Sequence, residues 1–227
     1  MRRALLPAAI AVTATLALPL AAQAPQHRAA AKPAAAPAPT PAPAPTPAEA
    51  PAAKPAVKLV TNYGTIVVEL DPAAAPKTVA NFLRYVKEGH YKGTVFQRVI
   101  DGFMIQGGGL DASLTEKQAH APIPNEAPQA LAAGLRNTRG TLAMARTEDP
   151  DSATDQFYIN LVDNPSLDSR GTDPSSIGYC VFGRVVSGME VVDAIAKVRT
   201  GFQKGMANVP DFPVRIKDAQ LVDPAAK

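Results

Sequence analysis

A tract rich in proline and alanine, residues 25–56, limits which part of this chain can fold. Ten of its thirty-two residues are proline and fourteen are alanine, so it lacks the larger apolar side chains that a core needs. Proline fixes φ and removes a backbone donor, which favours an extended polyproline II spacer. We expect a disordered tether here, with a proline-rich ligand for a partner domain as the alternative. A folded domain therefore has to lie in residues 57–227.

The residues before the tether have the layout of a secretory signal peptide. Residues 1–24 begin with two arginines, continue with an uncharged run of Ala, Leu and Val, and end in small residues. Two prolines interrupt the short run, which favours a cleaved leader over a permanent anchor. Ala24 and Ala22 are alternative last residues of the leader. We expect an exported, periplasmic protein; the alternative is an inner-membrane protein tethered through an uncleaved leader.

The charge of the chain is unevenly distributed. Five of the 23 Lys and Arg residues precede Val57, but only one of the 20 Asp and Glu residues does. The domain therefore has 18 basic and 19 acidic side chains, a net charge of −1. Such a balance gives no argument for nucleic-acid binding. We expect no nucleic-acid partner, membrane contact only through an uncleaved leader, and a monomer.

Short strand-like segments dominate residues 57–227. Apolar runs and alternating patterns predict eight strands. These are Val57–Asn62, Thr65–Leu70, Thr94–Val99, Phe103–Gln106, Thr141–Arg146, Gln156–Leu161, Tyr179–Val185 and Val214–Val222. Only two segments have helical spacing, one that Pro76 begins and Gly89 ends, and Met189–Val198. The pattern favours a mainly β fold, an antiparallel barrel or sandwich whose open ends the helices cover.

The common catalytic signatures are missing from the sequence. The three histidines have no partner at metal-ligand spacing, and CxxC, HExxH and GxSxG do not occur. The run Gly107–Gly109 lacks the lysine and helix of a phosphate loop and indicates a strand exit with positive φ. Cys180 lies in an apolar run and is expected to be a small core residue. We expect no cofactor and no metal, and the sequence argues against hydrolysis and nucleotide chemistry.

One arginine stands in a segment that is otherwise expected to build a core. Arg98 lies within FQRVIDGFMIQGGG, residues 96–109. A guanidinium is unfavourable to desolvate, so it needs either a structural ion pair or a functional task. Strand alternation predicts that Phe96 and Arg98 share one face, and that Met104 and Gln106 share one face of the next strand.

The segment FQRVIDGFMIQGGG, followed by NTRGTLAMAR and DSATDQFYIN, resembles the motif series of the cyclophilin-type peptidyl-prolyl cis-trans isomerases. NFLRYVKEGHYKGTVF before it and YCVFGRVVSGMEVVDAI after it also fit, so the likeness covers residues 57–227. Exported bacterial members are especially similar. The resemblance implies a closed eight-stranded antiparallel barrel capped by two α-helices, with a shallow groove on its outer face.

The function that this resemblance implies is rotation about X-Pro bonds in proline-containing peptides and unfolded exported proteins. A proline-peptide-binding module or holdase with little turnover is the alternative. Arg98 matches the catalytic arginine of the family. Nine residues match substrate-binding positions: Phe103, Met104, Gln106, Ala145, Arg146, Gln156, Tyr158, Leu167 and Tyr179. Phe103 has the opposite alternation to Met104, so its place in the site comes from the resemblance alone.

Four positions depart from the common pattern of the family. Gln97 stands where histidine often precedes the arginine, and Tyr158 stands where phenylalanine is usual. Tyr179 replaces a histidine of many members, and Ser166 lies at or near a tryptophan of eukaryotic members. This chain has no tryptophan, so it lacks a large apolar contact with an indole donor. We therefore expect weak affinity for cyclosporin-like ligands.

Overall fold

The computed structural model describes residues 54–222, so the predicted leader and most of the predicted tether lie outside the described residues. Its strands are β1 Ala56–Thr61, β2 Thr65–Leu70, β3 Arg98–Ile100, β4 Met104–Gly107, β5 Thr141–Met144, β6 Phe157–Asn160, β7 Val181–Ser187, β8 Thr200–Gln203, β9 Met206–Pro210 and β10 Ile216–Val222. Its helices are α1 Pro76–Lys87, α2 Ala127–Ala132 and α3 Met189–Ala196, with a 3-10 turn at Pro165–Leu167. None of the helices within this range is long and apolar enough to span a membrane.

Eight strands form one antiparallel sheet in the order β10-β1-β2-β7-β5-β6-β4-β3, and β8 and β9 form a separate hairpin. The mainly β prediction is confirmed. The prediction of a closed barrel is corrected, because within residues 54–222 the edge strands β10 and β3 do not pair with each other. The segment before β3 is joined to the start of β10, where Val95 forms an isolated bridge with Arg215 and Ile216 exchanges backbone hydrogen bonds with Gly93 and Thr94 at 2.8 Å. The sheet is curled and open at this edge.

The inner face of the sheet holds the main core. Large side chains from the central strands and from α1 pack there, and all are fully buried: Phe82, Ile105, Leu142, Phe157, Ile159 and Phe182. The Phe82 ring meets the Phe157 ring edge-on, with centroids 5.4 Å apart. Cys180 is also buried in this core, as predicted. The core therefore fixes the backbone of the strands, whose other side chains form the outer face of the sheet.

Helix α1 is held at both ends by the surrounding chain. Ala75 provides no side-chain cap at its start. Instead the Glu126 carboxylate, from just before α2, accepts hydrogen bonds from the backbone N–H of Lys77 at 3.1 Å and of Thr78 at 2.8 Å. At the other end Gly89, with φ +69°, turns the chain so that His90 N–H donates to Tyr85 O at 3.0 Å. Both arrangements satisfy backbone groups that a helix end leaves without partners.

Several local predictions need correction. The segment 94–97 is outside any strand, because the backbone of Val95 and Phe96 bonds instead to Leu110 and Val214. Phe96 consequently turns into the main core and does not share a face with Arg98. The short helix α2 and the β8–β9 hairpin were not predicted, so the described residues hold three α-helices rather than two.

The glycine run 107–109 is explained only in part by the predicted positive φ. Gly108 alone among the three has a positive φ, of +102°. At Gly107 and Gly109 the reason is close approach. A Cβ on Gly107 would lie 2.7 Å from Val95 O, and one on Gly109 would lie 2.5 Å from Cγ of Gln156.

Candidate active site

The outer face of the sheet carries a second, smaller apolar cluster. Met104, Ala143, Tyr158 and Val181 form its buried centre. Neighbouring residues of a strand point to opposite faces, so these side chains alternate with those of the main core. Ile105, for example, follows Met104 and lies inside. The same strands therefore build the core with one set of side chains and this outer surface with the other.

A depression of about 120 Å³ opens on this outer face, and nine of the ten residues predicted for the site line it. They are Arg98, Phe103, Met104, Gln106, Ala145, Arg146, Tyr158, Leu167 and Tyr179. Strand register places three of them in a row, because Gln106 lies opposite Arg98 of β3 and opposite Tyr158 of β6. Phe103 reaches the depression from the turn before β4, where strand alternation does not constrain it.

Arg98 brings a charged donor to the edge of this depression. Its Nη1 lies 3.5 Å from Oε1 of Gln106, a long hydrogen bond. None of the ion pairs formed within residues 54–222 includes Arg98. The structural ion-pair alternative therefore finds no support in the described part of the chain, and most donors of the guanidinium remain free for a ligand.

Gln156 is the one predicted site residue that does not line this depression. Its Oε1 accepts hydrogen bonds from Nε2 of Gln106 at 3.0 Å and from Nε2 of Gln97 at 2.6 Å. It lines two neighbouring depressions instead. One, of about 410 Å³, lies on the Arg98 side and includes Met206; the other, of about 250 Å³, includes Arg146 and Thr154. Gln156 therefore stands at the flank of the central depression.

Residues 56–221 match the family model described as cyclophilin type peptidyl-prolyl cis-trans isomerase/CLD. The chain belongs to the cyclophilin family. Among curated relatives, peptidyl-prolyl cis-trans isomerase cyp18 of Streptomyces antibioticus is 53% identical over 166 residues, 73% of this chain and 98% of the relative. Peptidyl-prolyl cis-trans isomerase B of Escherichia coli is 52% identical over 161 residues, 71% of this chain and 96% of the relative.

A solved structure extends the likeness to the backbone. It is the crystal structure of a Cryptosporidium parvum cyclophilin type peptidyl-prolyl cis-trans isomerase in the presence of the dipeptide Ala-Pro. The TM-score is 0.61 at 29% sequence identity, over 74% of this chain and 99% of that chain.

In this cyclophilin the hydroxyl of Tyr158 points away from the depression. It donates to Oδ1 of Asn137 at 2.7 Å, and Asn137 Nδ2 donates in turn to Oδ1 of Asp168 at 3.0 Å. Desolvation by burial raises the pKa of Tyr158 well above its ordinary value, so the hydroxyl remains a donor. Tyrosine can thus stand in place of phenylalanine without adding a polar group to the apolar wall. Asn137, the first residue of the segment NTRGTLAMAR, was not predicted as part of the site.

Arg146 and Tyr179 form one wall of the depression. The Arg146 guanidinium carbon lies 4.6 Å from the centroid of the Tyr179 ring. Nε of Arg146 donates to Gly178 O at 3.2 Å, and Nη1 donates to Thr147 O at 2.8 Å. These contacts tie the side chain both to its own loop and to the segment that carries Tyr179, so Arg146 is held in place as part of the wall. Ser166 is exposed on the 3-10 turn beside Leu167, a partly buried residue of the depression.

Proposed function

We propose that this cyclophilin catalyses rotation about X-Pro peptide bonds, with the prolyl ring in the 120 Å³ depression and Arg98 donating a hydrogen bond to the prolyl nitrogen. The observation that carries the proposal is the pairing of an apolar pocket with a guanidinium that has no ionic partner within residues 54–222. Phe103, Met104, Tyr158 and Leu167 provide apolar surface for a ring that is itself apolar. No nucleophile and no proton transfer is needed.

The proposed mechanism follows from the energetics of the prolyl amide. Its two planar isomers differ by only about 0.5–1 kcal/mol, whereas conjugation makes the rotation barrier ~18–20 kcal/mol. In the twisted transition state the nitrogen regains its lone pair and can accept a hydrogen bond. A donor aimed at that nitrogen binds the twisted state better than either planar state, which lowers the barrier.

The two flanking depressions, of about 250 Å³ and 410 Å³, indicate where the rest of a peptide binds. Gln106 and Gln156 border both of them. They could hold the residues before and after the proline while the narrow central depression holds the ring. Backbone groups are the same in every peptide, so contacts made there would permit many sequences around one proline. The proposed substrates are therefore proline-containing peptides and unfolded chains.

A protease-coupled assay on a short Ala-Pro peptide tests this proposal. Purified protein should accelerate cis-to-trans conversion in proportion to enzyme concentration. Binding of the peptide without acceleration would instead indicate the alternative, a proline-peptide-binding module or holdase.

We also propose that the protein acts on exported proteins, in the periplasm. The support is the composition of residues 1–24, with its basic start, apolar run and small residues. Cell fractionation with N-terminal sequencing tests this: a soluble periplasmic form should begin after Ala22 or Ala24. An intact leader in the membrane fraction would indicate the tethered alternative.

A further inference from the structure

We propose that Gln97 is a positioning residue of this site, because its side-chain donor holds Gln156 in the orientation that turns Oε1 to Gln106 and Nε2 to the substrate. The inference builds on the proposed isomerase function. Gln97 precedes Arg98 in sequence but lies buried, 5% exposed, outside the 120 Å³ depression. It borders the 410 Å³ flanking depression, and its hydrogen bond to Gln156 links it to the other site residues.

Three glutamine amides connect Gln97 to Arg98. A guanidinium can only donate, so Gln106 has to present Oε1 to Arg98, at 3.5 Å from Nη1. The other end of that amide, Nε2, then faces Gln156 and donates to its Oε1 at 3.0 Å. Gln97 donates its own Nε2 to the same oxygen at 2.6 Å. Because every amide has one accepting end and one donating end, each orientation dictates the next.

The two donors on Oε1 leave the Nε2 of Gln156 turned away from them. No protein group within residues 54–222 accepts a hydrogen bond from this Nε2, and the side chain borders the two flanking depressions. Gly109 leaves room for this placement, since a Cβ there would lie 2.9 Å from Nε2 of Gln156. The free N–H₂ group is thus oriented to donate to a backbone carbonyl of a bound peptide.

Gln97 is a poor choice for stability alone. Its Oε1 is buried and has no hydrogen-bond partner among the described residues. Buried acceptors are almost always satisfied in native proteins, because desolvation without a partner is unfavourable. An apolar side chain of the same length would avoid the unsatisfied oxygen. The hydrogen bond that Nε2 of Gln97 donates to Gln156 explains why a glutamine occupies this position.

Substitutions at Gln97 separate this role from a structural one. Gln97→Met removes the donor but keeps the length of the side chain, and Gln97→His restores an N–H. Gln129→Met, at an exposed glutamine of α2, is the matched control. On the Ala-Pro peptide we expect Gln97→Met to lower kcat/KM by ~10-fold or more, since misplacement of reacting groups is strongly felt. Its Tm should be unchanged or higher, while Gln97→His and Gln129→Met should stay near the wild-type rate.

Three outcomes would overturn the proposal. One is a Gln97→Met variant with wild-type kcat/KM. The second is a lowered Tm with activity falling only in proportion to the folded fraction, which indicates a structural role. The third is an equal loss in the Met and His variants at unchanged Tm, since the donor would then not matter.

A binding measurement keeps this inference separate from the proposed function. The side-chain N–H₂ resonances of Gln156 should shift in the wild-type protein when the Ala-Pro peptide is added, and should not shift in Gln97→Met. Wild-type protein that binds the peptide with this shift but does not turn it over would refute only the isomerase activity. An active wild type without the shift would refute the role given to Gln97.

Discussion

At the scale of single residues, the guanidinium of Arg98 makes one hydrogen bond within residues 54–222, the long one to Oε1 of Gln106. Removing one preorganised donor from a transition state typically lowers a rate by ~10²–10³. We expect Arg98→Ala to lower kcat/KM by that amount in the peptide assay. Arg98→Lys should recover little, because an ammonium on a flexible stem cannot reproduce the planar fork of the guanidinium.

The melting temperature is the check on this prediction. Arg98 forms no ion pair within residues 54–222, so its replacement breaks none. Both Arg98 variants should therefore melt within a few degrees of the wild type. Peptide affinity should weaken less than turnover, since the donor acts chiefly on the twisted amide. A marked drop in Tm with activity tracking the folded fraction would contradict the catalytic assignment.

The buried thiol of Cys180 makes the free energy of unfolding depend on pH in the alkaline range. Desolvation by burial raises the pKa of its thiol to about 12 from an ordinary value of 9.0. Between these values the unfolded thiol ionises while the folded thiol keeps its proton, so the free energy of unfolding falls as pH rises. The slope from one such group is about 1.4 kcal/mol per pH unit. Urea unfolding at pH 7 and pH 10 should therefore show a smaller alkaline loss in Cys180→Ala than in the wild type.

At the scale of secondary-structure elements, α1 depends on a carboxylate supplied from elsewhere in the chain. Glu126 accepts from two backbone N–H groups and from Oγ1 of Thr78, at 2.8 Å. Glu126→Ala should lower the free energy of unfolding by ~2 kcal/mol, because it leaves buried donors at a helix start without a partner. Urea unfolding measures this.

Glu148→Ala, at an exposed carboxylate, serves as the control for the loss of a negative charge. It should unfold like the wild type. Because Glu126 does not line the central depression, its variant should retain kcat/KM under conditions where it is folded. A loss of activity in fully folded Glu126→Ala would show that the helix start influences the site.

The elements also show what the sequence can and cannot predict. β2 was predicted with its observed bounds, because Thr65–Leu70 alternates cleanly beside a glycine turn. The predicted strand at 94–99 begins only at Arg98, since non-local bonds to Leu110 and Val214 take its first residues. No local pattern reports such partners. The same holds for α2, a helix of six residues for which no helical spacing was predicted.

For the site, the motifs of the sequence identified the residues that line the depression. They did not identify the residues that hydrogen-bond to the lining from behind. Gln97 and Asn137 act through hydrogen bonds to Gln156 and Tyr158, residues far along the chain. Their partners become visible only when the strands are assembled. Gln97 was noted only as a departure from a common histidine. The signal for Gln97 in the sequence was a polar residue directly before Arg98, within a segment that was expected to build a core.

At the scale of the whole molecule, all ten residues predicted for the site lie between Arg98 and Tyr179, within the described range. Deleting residues 25–53 should therefore leave kcat/KM on a short peptide unchanged. The deletion keeps Lys54, which pairs with Asp71 at 2.6 Å, and the backbone of Pro55, which bonds to Leu70. The peptide assay on the shortened and the full chain tests this, and a large loss would give the tether a catalytic role.

The alternation that separates the main core from the outer cluster has a consequence for how such an enzyme can change. Ile105 and Ile159 bear on whether the domain folds, whereas their strand neighbours Met104 and Tyr158 bear on what it binds. Substitutions in the second set can alter the ligand-facing surface while leaving the main core alone, and substitutions in the first set can alter the core while leaving that surface alone. A single-residue insertion in β4 or β6 has no such freedom. It would exchange the two faces and abolish folding and recognition in one step.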